Sequence, residues 1–107
     1  MNDLRQVIRD KMISKAKESW ATASTLFDIG TNKQRGNVLK KCAYINAASK
    51  FYHPSVLADV IGVNRTSILH HIKKHDSNME YAEYKKYYIH CLKFVISFET
   101  QQEEPVI

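Results

Sequence analysis

The stretch HPSVLADVIGVNRTSILHHIKKH, residues 53–75, decides the fold. Pro54 suits the first turn of a helix, where its missing N–H costs nothing, and Ser55 offers a side-chain oxygen to a free amide there. A helix is therefore expected to begin at Pro54 to Val56. Leu57, Val60 and Ile61 recur at helical spacing and make one apolar face, and Ala58 is small enough to let a second helix cross closely. Gly62 ends this helix, because glycine tolerates the left-handed conformation common just past a helix C-terminus, and Val63 can fold back onto the core. Asn64 or Thr66 can cap a second helix that carries Ile68, Leu69 and Ile72 inward. The same helix turns Arg65, Ser67, His70, Lys73 and Lys74 largely outward. Two short helices joined by one tight turn, over about residues 54–75, read as a helix-turn-helix.

The chemistry of the second helix has a direction. Its first turn shows Asn, Arg, Thr and Ser, which are donors and acceptors for base edges, and its end carries Lys73, Lys74 and His75, which suit phosphates. The net charge of +5 is concentrated on and just before it. Residues 32–75 hold eight basic groups against one acidic, whereas residues 1–31 hold five against four and residues 76–107 three against six. Cations placed beside a reading helix can displace counterions from phosphates, so double-stranded DNA is the expected partner.

At these residues the chain resembles a known family. GVNRTSILHHIKKH is similar to the second-helix signature of the origin-binding domain of the bacterial replication initiator DnaA, which runs roughly GRDHTTVLHACRKI. Gly62, Thr66, Leu69, His70 and Lys74 match outright, and Ser67 and Ile68 are conservative matches. In that family the Asp-His-Thr-Thr run reads bases in the major groove, so the resemblance nominates Asn64, Arg65, Thr66 and Ser67 as base-reading residues. Here Asn64 and Arg65 replace Asp and His, and the family's target sequence does not carry over. A basic segment ahead of the first motif helix reaches the minor groove or the backbone in that family, which nominates Lys33, Arg35, Lys40 and Lys41. His70, His71, Lys73 and Lys74 complete the expected backbone contacts. The resemblance spans about residues 38–75. The chain contains no GxxxxGK[ST] loop, so it resembles the DNA-reading module without the ATPase and implies no bound nucleotide.

Working outward, residues 3–28 read as one long amphipathic helix with Asp3 near its start. Leu4, Ile8, Met12, Ala16, Trp20, Ala23 and Phe27 form its stripe, widened by Val7, Ile13 and Leu26. It is expected to be scaffold or a self-association surface, with Trp20 in the core. Gly30 is expected to end it and Gly36 to close a polar loop. Asn37 can cap a helix to about Phe51, whose alanines allow close packing, with Tyr44 and Tyr52 read as core residues with wet hydroxyl tips in preference to phosphate donors. After a polar break at residues 75–78, Ser77 or Asn78 can cap a final helix from about Met79 to Glu99, with Glu80 in its first turn. Tyr81, Tyr84, Tyr88, Cys91, Leu92, Val95 and Phe98 recur along it. Tyr87, Ile89, Phe94 and Ile96 make its C-terminal half apolar nearly all round, which suggests packing against the long N-terminal helix and, beyond that, a homodimer through the N- and C-terminal helices. The tail from residue 101 is expected to fray.

The expected class is therefore all-α, one domain over residues 1–100 with a helix-turn-helix core flanked by long N- and C-terminal helices. Length and 44% apolar content support a folded chain. No apolar run reaches the ~18 residues of a membrane span and no signal pattern opens the chain, so a cytoplasmic protein, nucleoid-associated when bound, is expected. Cys42 and Cys91 are expected to be buried free thiols. His71 and His75 are four apart, but no Cys-x2-4-Cys or His-Glu pair accompanies them, so no metal is expected. No nucleophile elbow, nucleotide fingerprint or paired acidic motif points to an enzyme or a cofactor. A small DNA-binding regulator of transcription or replication, of bacterial or phage type, is the leading expectation. The alternative is a helical adaptor whose apolar last helix binds a protein.

Overall fold

The residues of the central stretch fold as their backbone chemistry requires, and the caps can be named. In a computed structural model that describes residues 4–30 and 35–102, a helix spans Pro54–Ile61 and a second spans Arg65–Lys73. Six helices form in all among the described residues, with no strand: α1 (Leu4–Leu26), α2 (Arg35–Ala48), α3 (Pro54–Ile61), α4 (Arg65–Lys73), the single turn α5 (His75–Asn78) and α6 (Ala82–Gln102). None is long and apolar enough to cross a membrane.

The start of α3 is capped by His53, not by Ser55: the His53 Nδ1 accepts the Ser55 N–H at 3.1 Å, and the Ser55 Oγ lies 3.4 Å from Arg9 on α1. Gly62 takes the left-handed conformation (φ 84°), and the N–H groups of Gly62 and Val63 both close on the Ala58 carbonyl, at 2.9 and 3.1 Å. A glycine reaches that backbone region without a Cβ clash, so the chain reverses in three residues. Asn64 then supplies the cap of α4, its Oδ1 accepting the Ser67 N–H at 2.8 Å, while Thr66 stands exposed. Ile68 is fully buried and Ile72 half-buried, but Leu69 is 44% exposed. The expected inward direction of Leu69 is thus corrected: it sits about 100° round the helix from Ile68, and α4 settles with Ile68 at the centre of its buried side.

The hub of the molecule is α2. Every residue from Cys42 to Ala48 is buried, and the helix packs against α4, α5 and α6 at once. Ala43, Ala47 and Ala48 permit this, since small side chains let several neighbours approach one axis. α1 lies across α3 and α6, burying Ala16, Ser19 and Ala23. Trp20 is half-buried with its ring 5.1 Å from that of Tyr44, and the buried Tyr44 and Ser19 hydroxyls share a hydrogen bond of 2.8 Å. Tyr52 is buried too, and its hydroxyl donates to Glu99, which also pairs with Lys15 at 2.6 Å and so clamps α6 to α1. Cys42 and Cys91 are buried free thiols.

Several boundaries depart from the expectations. α1 ends at Leu26, and Asp28, not Gly30, takes the left-handed turn (φ 53°), with the Ile29 N–H returning to the Ser24 carbonyl at 2.9 Å. Aspartate is among the few residues with a side chain that visit this region readily. Gly30 instead is a contact point: the Asn37 Oδ1 accepts its N–H at 3.1 Å, and a Cβ there would lie 2.7 Å from the Asn37 amide nitrogen. Asn37 thus serves the preceding loop from inside α2, which begins at Arg35 with Gly36 helical and ends at Ala48. Residues 75–78, expected as a break, close one helical turn, so Ser77 and Asn78 do not cap α6, which begins at Ala82 with Glu83, not Glu80, in its first turn. α6 runs on to Gln102, beyond the expected end, and residues 103–107 of the expected tail lie outside the described residues. Leu4, Val7 and Ile8 on α1, and Tyr81, Ile89 and Ile96 at and along α6, stand exposed.

Candidate nucleic-acid interface

The outward side of α4 follows from helical spacing. Arg65, Thr66, Leu69, His70 and Lys73 recur at intervals that share one face, and all five are exposed, as is Lys74 at the C-cap. Ser67 is half-buried behind this face, with its N–H held by Asn64. The Asn64 Oδ1 is therefore committed to the helix, and only its amide N–H groups point elsewhere; the paired donor and acceptor that recognise adenine would require the cap to open. The one acidic residue of the basic segment, Asp59, is drawn the other way, into an ion pair of 2.8 Å with Arg9 on α1. The outward face of α4 thus offers a guanidinium, a hydroxyl, an ammonium and an imidazole around one leucine, with no carboxylate among them.

The inward side of α4 is held by a buried polar knot that sequence reasoning missed. The Asn46 Nδ2 on α2 donates to the His71 carbonyl at 3.0 Å and to the Tyr84 hydroxyl at 3.2 Å, and the Cys42 thiol also reaches the His71 carbonyl at 3.6 Å. The Tyr84 hydroxyl in turn lies 2.7 Å from the His75 Nδ1, and Asn78 donates to the Cys42 sulfur at 3.5 Å. The imidazole of His75 also rests on the Tyr88 ring, with centroids 4.5 Å apart. A carbonyl in the last turn of a helix lacks an intrahelical partner, and here side chains from another helix supply one and fix where α4 ends. The Tyr84 hydroxyl accepts from Asn46 and shares its other hydrogen bond with His75; burial pushes the hydroxyl's pKa well above its ordinary range and lowers that of His75. The one sequence signal was a polar Asn46 inside the apolar run CAYINAA; its partners, far away in sequence, gave none.

The flanking cations divide. Lys41 is half-buried close enough to His71 for its charge to help lower the histidine's pKa, after burial and the His70 charge, so His71 is neutral near pH 7. Lys40 is engaged on the α6 side of α2, its Nζ 3.4 Å from the Asp28 carbonyl and 5.5 Å from the centre of the Tyr87 ring. Lys50, exposed just past α2, lies near enough to depress His75 and was not among the sequence candidates. Lys33 and the Arg35 side chain lie outside the described residues.

Among the described residues no three His, Cys, Asp or Glu side chains gather as metal ligands. Burial raises the pKa of both cysteines, that of Cys91 to about 12, so neither is a thiolate near neutral pH. Comparison with protein-family models, with characterised proteins and with solved structures gives no match.

Proposed function

We propose that the protein binds double-stranded DNA sequence-specifically, with α3, the Gly62–Asn64 turn and α4 acting as a helix-turn-helix and α4 lying in the major groove. The observation that carries this reading is the exposed, acid-free face of α4, with Arg65 and Thr66 at one end and His70, Lys73 and Lys74 at the other. Nine residues make a rod of roughly 13 Å, enough to follow about four base pairs. Arg65 is the residue to pair bidentately with guanine, Thr66 and Ser67 assist, and Asn64 holds the helix start while offering its amide N–H groups. Lys73, Lys74, His70 and Lys41 take phosphates, and Lys50 extends that row. The similarity to the DnaA reading module supports the same docking, in a standalone regulator of bacterial or phage type that acts on transcription or replication. A homodimer through α1 and α6 is compatible with their exposed apolar residues and would present two reading helices.

The exposed Ile89 and Ile96 favour a second reading, a helical adaptor that binds a protein through α6. Titration of a fluorescein-labelled duplex of mixed sequence at rising salt separates the two. The DNA reading expects affinity to fall steeply with salt, and Lys73→Ala to weaken binding and lower the salt slope by about one. Absence of binding at low salt would reject it in favour of the adaptor.

A further inference from the structure

Resting on the DNA reading above, we infer that Leu69 is a specificity residue that recognises the C5-methyl group of a pyrimidine. Leu69 is the large apolar side chain of the 54–75 segment that is exposed, at 44%, whereas Leu57 and Ile68 of the same segment are fully buried. It is set among Arg65, Thr66, His70 and Lys73, all exposed, in the middle of the face that would meet the base edges. Among the groups that base pairs present in the major groove, the methyl at C5 is the apolar one, and it is matched by a side chain with neither donor nor acceptor. A leucine set against a base amine or carbonyl would strip water from it and return no hydrogen bond, so the same side chain disfavours positions that lack the methyl.

The neighbouring residues sharpen this. Asn64 cannot supply an adenine-specific pair while its Oδ1 caps α4 on the Ser67 N–H. The main base discrimination on this face then falls to the guanidinium of Arg65 and the isobutyl group of Leu69, one helical turn apart, with Thr66 and Ser67 assisting. Four residues advance the helix about 6 Å, nearly two base-pair steps of ~3.4 Å. The recognised element is a guanine with a methyl-bearing pyrimidine one or two base pairs away. Thymine and 5-methylcytosine share that methyl, and substituted probes tell them apart.

The test uses the full chain and duplexes recovered by selection from a randomised pool, with each thymine replaced in turn by deoxyuridine and each cytosine by 5-methylcytosine. Withdrawing one methyl from a contact of this size weakens binding about fourfold. The wild-type protein is expected to lose about that factor at one deoxyuridine position, and Leu69→Ala to bind the two probes equally. Leu69→Met, which keeps an apolar side chain, is expected to retain the discrimination, and thermal melts of both variants verify the fold. A preference for 5-methylcytosine over cytosine without any thymine effect would assign the methyl to modified DNA. Indifference of the wild type to both exchanges, or an equal preference in wild type and Leu69→Ala, would overturn the inference while leaving the DNA reading intact. Failure to select or bind any duplex would overturn both.

Discussion

The two sides of α4 are built on opposite principles. Outward, Arg65, Thr66, His70 and Lys73 stand in solvent, and none of them is called upon to hold the helix in place. Inward, one buried amide, Asn46, satisfies the His71 carbonyl and the Tyr84 hydroxyl, and Tyr84 bridges on to His75. The candidate reading face and its positional accuracy are therefore separable: outer substitutions should change what α4 touches, and inner ones where α4 sits.

The largest effect on stability is expected from Asn46→Ala, which removes the amide donor shared by the His71 carbonyl and the Tyr84 hydroxyl, leaves them only the Cys42 and His75 contacts, and should cost about 2 kcal/mol in urea unfolding. A loss below about 0.5 kcal/mol would mean that the knot does not hold α4. Gly62→Ala should cost about 1 kcal/mol from the left-handed backbone alone, since no atom lies within 4 Å of the added methyl. An unchanged urea midpoint would place the turn in another conformation.

Acid should also act on the inner side. His75 and His71 both have pKa values lowered by burial in the folded state, so between those values and about 6.5 the unfolded chain binds more protons. Stability from these groups is therefore complete above pH 6.5 and declines as pH falls through the folded pKa values. In His75, Asp76 opposes the shift and Lys50 reinforces it. Unfolding measured from pH 8 to pH 5 should show this decline, reduced in His75→Gln; a stability that rises on acidification would reverse the assignment. The smallest effect belongs to Arg65→Ala, which should leave stability within about 0.5 kcal/mol, because the side chain is exposed.

The sequence was legible where structure is local. Pro54, Gly62 and Asn64 each set the backbone within a few residues, and the helix boundaries around them follow. The outward set Arg65, His70, Lys73 and Lys74 followed from spacing. Legibility failed where the outcome depends on distant partners. Leu69 and Ile68 are adjacent and equally apolar, so which of them turns inward depends on how α4 meets α2 and α3. Asn37 was read as the cap of α2 but stands inside that helix as the partner of Gly30, and Asn46 could not be matched in advance with groups 25 and 38 residues away. Lys40 shared its signal with Lys41, yet one residue of helical rotation took it to Tyr87.

Selection from a randomised duplex pool, run in parallel with the wild-type protein and Arg65→Ala, tests the central claim most directly. The wild-type protein is expected to enrich a motif containing guanine, with that position lost in Arg65→Ala while both proteins melt alike. A wild-type protein that enriches no motif, or a motif that survives unchanged without Arg65, would contradict it.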